Sequence, residues 1–288
     1  MLPLRRNLVL SLFLLQTLCC MSLQCPAQGQ ESNDPQTAGL GVVQVHNRTL
    51  AHAHNDYLHK RPLIDAIENG FSSVEVDIFL EGTELLVGHD RGQLREGRTI
   101  EVLYLDPLRR IVKSNSGYVV HPKETFTLLV DIKSNGEKTY SRLHDVLSEY
   151  QAMLTETKNG KTEVRPIEVI ISGARPIKLI ASQKIRWASV DGRISDLDSS
   201  APPHLMPLIS DRWSRHFSWQ GRGEFPADQR KQLVDWVEKA HGQGRRVRFW
   251  ATPENEAVWQ ALSDAKVDLI NTDQLEELSA FLKLRNSQ

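Results

Sequence analysis

Beyond Cys25 this 288-residue chain has no cysteine; all three, Cys19, Cys20 and Cys25, fall near its start. A body without thiols has neither disulfide staples nor thiolate metal sites, so its stability must come from a packed core. The chain also lacks charge of one sign. A net charge of −1 and a pI near 6.8 remove any global pull toward nucleic acid or acidic membranes. Its basic runs are short, and Gly244-Arg-Arg-Val-Arg248 reads as a solvated helix-to-strand junction rather than a binding patch. No glycine-rich phosphate loop follows any apolar run, and there is no internal repeat or low-complexity tract.

What is present begins with a targeting segment. Arg5 and Arg6 precede the apolar stretch Leu8 to Leu23, and Cys25-Pro26-Ala27 offers a small residue for cleavage. Residues 1–27 therefore read as a signal peptide. The stretch is short and interrupted by Gln16, which argues against a membrane span, an uncleaved anchor being the alternative. Either reading exports the body of the protein to a secreted or periplasmic location. Residues 28–45 are mostly polar and read as a disordered leader. Asn47-Arg-Thr49 forms a glycosylation sequon.

From residue 46 to 285 short apolar runs alternate with one-sided helical patterns. Expected strands are Thr49–Ala53, Ser73–Leu80, Thr127–Lys133, Ile167–Ser172, Trp187–Val190, Met206–Ile209, Val247–Ala251 and Asp268–Asn271. They lack clean alternation, as parallel strands buried on both faces should. Helical spacing covers Pro62–Glu68, Lys138–Leu154, Asp228–His241, Glu254–Ala265 and Gln274–Leu284. Eight strands with helices between many of them predict an α/β fold, a closed TIM-type (β/α)8 barrel that need not be regular. An open doubly wound sheet is the runner-up.

Several of these runs carry charge where a buried strand should be apolar. Side chains two apart share a strand face, so Glu75 and Asp77 point the same way, as do Asp131 and Lys133. Crowded carboxylates cost free energy unless a cation or substrate offsets them. His54 and Asn55 follow the first strand, and His89 closes the segment Glu84–His89 after the second. In a barrel these residues meet at the C-terminal mouth. The oxygen donors Asn55, Glu75, Asp77 and Asp131 suit Mg²⁺ or Ca²⁺. That leaves His54 and His89 for proton transfer, and Lys133 to grip a phosphate oxygen. Together the set suits phosphodiester cleavage.

His54-Asn-Asp-Tyr57, Glu75-x-Asp77, His89-Asp90 and Asp131-x-Lys133 resemble the barrel phosphodiesterases. That superfamily includes phosphatidylinositol-specific phospholipase C, glycerophosphodiester phosphodiesterase and the sphingomyelinase D type. Within it the chain looks most similar to bacterial relatives of the fungal altered inheritance of mitochondria proteins. That resemblance extends to Arg248-Phe-Trp-Ala-Thr-Pro253 and Asp268-Leu-Ile-Asn-Thr-Asp273. It implies a metal-dependent hydrolase of phospholipids or glycerophosphodiesters, with His54 and His89 as the catalytic pair. It also implies Glu75, Asp77 and Asp131 as metal ligands, with Asn55 in the place of a metal-binding asparagine. The glycerophosphodiesterase His-Arg-Gly opening is absent, and Asp131 stands where several relatives have Glu, so the substrate does not transfer with the resemblance.

Other readings compete. His52 is an alternative imidazole to His54, or a substrate contact, and Trp250 near the end of strand seven is a candidate pocket lining. Glu75 and Asp77 taken alone could be a structural pair for a core arginine. Asp191, Arg193, Asp211 and Arg212 read as loop salt bridges first and substrate contacts second. His52-x-His54 also opens an amidohydrolase-like metal site, although Ser189-Val-Asp191 and Leu208-Ile-Ser210 lack the further histidines it needs. A barrel that binds phosphorylated head groups without cleaving them is the non-enzymatic alternative. The expected partner is a phosphodiester small molecule or lipid head group, with transient contact at a membrane surface allowed and neither nucleic acid nor a protein partner implied.

Overall fold

The computed structural model describes residues 51–122 and 124–287. The stretches read as signal peptide and leader, the sequon and all three cysteines lie outside these residues. Among the described residues no helix is long and apolar enough to cross a membrane.

Eight parallel strands form the central sheet: β1 (Ala51–Ala53), β2 (Ser73–Glu81), β3 (Phe126–Ile132), β4 (Ile167–Gly173), β5 (Ala188–Gly192), β6 (Leu208–Arg212), β7 (Arg246–Trp250) and β8 (Leu269–Thr272). Each pairs with the next in chain order, and β8 pairs back to β1. The sheet thus closes into a TIM-type (β/α)8 barrel, and every expected strand is present to within a few residues. Their outer faces and the surrounding helices make the main core. Inside the barrel Leu129, Ile170, Leu208 and Leu269 form a separate apolar plug. With both faces buried, the strands have no solvent side to alternate toward.

The helices are α1 (Ile64–Glu68), α2 (Asp106–Ser114), α3 (Gly136–Ser148), α4 (Ile177–Ser182), α5 (Ala227–Gly242), α6 (Glu256–Asp264) and α7 (Leu275–Asn286). Asn135 and Asn255 cap α3 and α6, each accepting a backbone N–H at 3.1 Å. The crossover from β5 to β6 holds only the 3₁₀ turn Ile194–Asp198, so the barrel is irregular there. Two helices were not expected. A π-helical turn, Glu101–Leu105, runs into α2 and Pro107 follows, which breaks the 3.6-residue period. α4 is six residues long and buries only Ile180, too little for an amphipathic signature. The helix expected over Lys138–Leu154 ends early, at Ser148.

One departure from the barrel pattern positions the site. β2 turns at Gly82, whose φ of +61° suits glycine, and returns as the antiparallel strand Glu84–Val87. The returning chain meets β2 again where Gly88 N–H donates to the Asp77 carbonyl at 3.2 Å.

Candidate active site at the C-terminal mouth

Register decides which side chains meet. Asp77 on β2 lies opposite Asp131 on β3, and Glu75 sits two residues deeper on the same face of β2. One oxygen from each of Glu75, Asp77 and Asp131 falls within 4.8 Å of the others. Gly173, opposite Ile132, makes room: with φ +65°, a Cβ there would come within 2.0 Å of Asp131 Oδ1. Lys133 Nζ lies 3.2 Å from both Asp77 Oδ2 and Asp131 Oδ2. It does not complete the cluster, because Asp77 Oδ1 and Asp131 Oδ1 are buried with no hydrogen-bond partner among the described residues. Burial, then the charge of Glu75, push the Asp131 carboxyl up to about 6 against the pull of Lys133, and raise Asp77 as well. A set of hard oxygens, two of them orphaned, fits a divalent cation of the Mg²⁺ or Ca²⁺ type.

Glu75 is treated differently. Arg248 on β7 donates to its Oε2, and also to Asn271 Oδ1 on β8, at 3.0 Å from Nε and 2.7 Å from Nη2. Burial disfavours the Glu75 charge, but Arg248 and a hydrogen bond with His52 outweigh it and hold the carboxyl below its usual range. The core arginine considered for this pair therefore exists, yet it serves Glu75 alone and leaves Asp77 to the cluster. Arg248 itself is 2% exposed, so the basic run ending there is no solvated junction at its last residue. Strand alternation was the available signal: Arg246, Arg248 and Trp250 share one face of β7, with Val247 and Phe249 on the other.

The histidine within β1 and the one that follows the strand have different fates. His52 is fully buried, with Nδ1 2.7 Å from Ser73 Oγ and Nε2 3.2 Å from Glu75 Oε2. Burial, then Arg248, push it down to about 3, so it is a neutral core residue with both ring nitrogens engaged and no face for a substrate. The expectation of a substrate contact at His52 is corrected accordingly, and the amidohydrolase-like pair loses one member. His54 lies at the mouth. Ala53 pairs with Thr272, and His54 N–H donates to the Thr272 carbonyl at 3.0 Å, which sets its imidazole beside Asp273. Nδ1 is 2.8 Å from Asp273 Oδ1. Burial works against protonation of His54, but the Asp273 hydrogen bond and the Glu75 charge raise its pKa above the ordinary value.

His89, delivered by the hairpin, is exposed and has Nδ1 2.9 Å from Asp77 Oδ2. Asn55, in a left-handed conformation with φ 45°, has its Oδ1 3.0 Å from the Tyr57 hydroxyl, which lies 2.8 Å from Asp77 Oδ2. Trp250 reaches the mouth half-buried, with the Arg212 guanidinium 5.3 Å from its ring centre. The structure thus brings His54, Asn55, Glu75, Asp77, His89, Asp131 and Lys133 together. It adds Arg248, Asn271 and Asp273, which sequence reasoning did not single out as site residues. The salt bridge read for Asp191 and Arg193 is present at 2.7 Å.

This geometry agrees with what the chain is similar to. The AIM6-like phosphodiesterase domain matches residues 42–189, just over half of the chain. The chain belongs to the AIM6-like phosphodiesterase family. Membership makes it a phosphoric diester hydrolase and sets the catalytic reading above a binding-only barrel. A second family model, the glycerophosphoryl diester phosphodiesterase family, matches residues 246–276, which include Arg248, Asn271 and Asp273. Altered inheritance of mitochondria protein 6 of Eremothecium gossypii is 28% identical, over 89% of this chain and 76% of its own. A homolog of it in Arthroderma benhamiae is 29% identical, over 86% of this chain and 87% of its own. Among solved structures, a glycerophosphodiester phosphodiesterase from Parabacteroides distasonis superposes with a TM-score of 0.49 at 17% identity, covering 83% of this chain and 99% of that one.

Proposed function

We propose that the chain is an exported, divalent-cation-dependent phosphodiesterase acting on a phospholipid or glycerophosphodiester, with His54 and His89 as its proton-transfer pair. The observation that carries this is the pair of buried, unpartnered oxygens, Asp77 Oδ1 and Asp131 Oδ1, beside Glu75. Burying two carboxylate oxygens without donors is costly unless a cation satisfies them. Glu75, Asp77, Asp131 and Asn55 would hold the ion. When bound, it supplies positive charge against the phosphodiester anion.

The remaining steps fall to the chain's own groups. The Lys133 side chain is 25% exposed, and its Nζ is placed to donate to a non-bridging phosphate oxygen. Asp273 accepts from His54 Nδ1–H and so leaves Nε2 as the acceptor that takes a proton from the attacking hydroxyl or water. Asp77 likewise accepts from His89 Nδ1–H, and His89 in its imidazolium form would turn Nε2–H toward the leaving alkoxide. Deeper in the barrel the lining is apolar, from Leu129, Ile170, Leu208 and Leu269. Trp250 supplies an apolar wall for the alcohol. The basic-then-apolar opening of the sequence supports export.

One panel tests the reading: chain from residue 28 onward, stripped with chelator, assayed on glycerophosphodiesters, phosphatidylinositol, sphingomyelin and a chromogenic diester, with Mg²⁺, Ca²⁺ or Mn²⁺ restored singly. Hydrolysis of at least one ester that is lost in chelator and restored by a cation supports the proposal. Equal turnover with and without cation would overturn its metal dependence.

A further inference from the structure

Beside the carboxylates, where β4 and β5 follow β3 round the mouth, lies a second charged group that the phosphodiester reaction leaves unused. β4 and β5 end in Gly173 and Gly192, and each is followed closely by an arginine, Arg175 and Arg193. Between them sits Asp191, fully buried, which already accepts from Ser172 Oγ at 2.8 Å, from Ser210 Oγ at 2.5 Å and from Arg193 Nη1 at 2.7 Å. Each oxygen of Asp191 thus has a donor, and its side-chain ion pair is with Arg193. Arg175 donates only to the Asp191 backbone carbonyl. Among the described residues no carboxylate lies within ion-pairing distance of it, although it is partly buried and within electrostatic reach of Arg193. Burial, then the charge of Arg193, push its pKa down, and the charges of Asp191, Asp196 and Asp131 oppose that shift without cancelling it. A partly buried cation with a like-charged neighbour, and with N–H donors beyond the one Asp191 takes, is placed to receive an anion at the mouth.

The aromatic surface nearby points the same way. A quaternary ammonium would need the open face of Trp250. The Arg212 guanidinium already lies over that ring, at 5.3 Å from its centre, so a cationic head group meets like charge there.

We propose that Arg175, backed by Arg193, is a subsite for a second anionic group, a phosphomonoester or carboxylate, carried on the alcohol half of the diester, so that anionic head groups are preferred over choline-type ones. The inference rests on the phosphodiesterase reading above and names its substrate class. Arg175 binds and does not take part in proton transfer.

The test compares kcat/KM for glycerophosphoinositol 4-phosphate, glycerophosphoglycerol and glycerophosphocholine in the wild-type protein, Arg175→Met and Arg175→Lys. Removing a charge-assisted Arg–phosphate contact costs roughly 10- to 100-fold in affinity. Wild type should prefer the ester with the anionic head group over the glycerol ester, whose head group is neutral, and the glycerol ester over the choline ester. Arg175→Met should lower the anionic-to-neutral preference by about 10- to 100-fold, mainly through KM, and Arg175→Lys should restore part of it. An unchanged preference in Arg175→Met, or a wild type that favours the choline ester, would overturn the inference. Calorimetric binding of inositol 4-phosphate to wild type and Arg175→Met decides it without turnover. If no ester is cleaved with any cation yet Arg175→Met still weakens that binding at least tenfold, the subsite stands and the phosphodiesterase reading fails. If binding is equal in the two proteins, the subsite fails.

Discussion

Asp131→Asn should make the cation-free protein more stable at neutral pH while removing most of its response to divalent cations. Moving a carboxyl from its usual 3.8 to about 6 costs the ionised form on the order of 3 kcal/mol. The sign follows from linkage. The folded protein holds the Asp131 proton more tightly than the unfolded chain does, so the penalty is absent below the unfolded value, grows as pH rises, and is complete above about 6. An amide has no charge to penalise, but it also loses the 3.2 Å ion pair with Lys133, which retains Asp77. A net gain of about 1–3 kcal/mol is expected at pH 7.5 in chelator, or roughly 2–4 °C in Tm per kcal/mol for a barrel of this size. Wild type should then overtake the variant on titration with Mg²⁺ or Ca²⁺, since a ligand at a hundred times its Kd adds about 2.7 kcal/mol. Thermal melts of both proteins, with chelator and with each cation, at pH 7.5 and again near pH 4, contain the whole argument. A variant less stable than wild type in chelator at pH 7.5, or one with an undiminished cation response, would refute the idea that these carboxylates are held together for a cation.

Other consequences are independent of that balance. His54→Ala and His89→Ala should each reduce kcat by about two to four orders of magnitude on whichever diester the wild type cleaves, with Tm little changed. Near wild-type rates in both variants would remove them from the mechanism. Asp273→Asn takes away the hydrogen-bonded carboxylate that raises His54, so the acidic limb of the kcat/KM profile, where the base must lose its proton, should move to lower pH as the plateau falls. An unmoved limb would separate Asp273 from the base. Arg248→Met should destabilise the fold by about 3–5 kcal/mol in denaturant melts, because Glu75 is left buried and unpaired, and Glu75→Gln in the same chain should recover part of that loss.

How much of this was legible before folding depends on what a periodic pattern reports. The barrel strands were readable because burial on both faces leaves apolar runs that turn signals bound cleanly, and the carboxylates were readable because charge interrupts those runs at Glu75, Asp77 and Asp131. α2 and α4 were not, since one is entered through a register break and the other buries a single side chain. The same limit explains the site. Alternation states which face of a strand a residue occupies, and says nothing about depth along the barrel axis. His52 and His54 share a face by that rule and stand only ~6.6 Å apart along the strand. Yet that one step separates a neutral histidine sealed between Ser73 and Glu75 from one that opens on the mouth beside Asp273. Arg248 was misjudged for the complementary reason: a run of charges suggests solvent, and only the pairing of β7 with β8, which brings Arg248 to Asn271 and across the barrel to Glu75, turns the last of them inward. Depth is set by register between strands distant in sequence, so a residue at a strand end can be assigned to core or to mouth only once its neighbours on both sides are known.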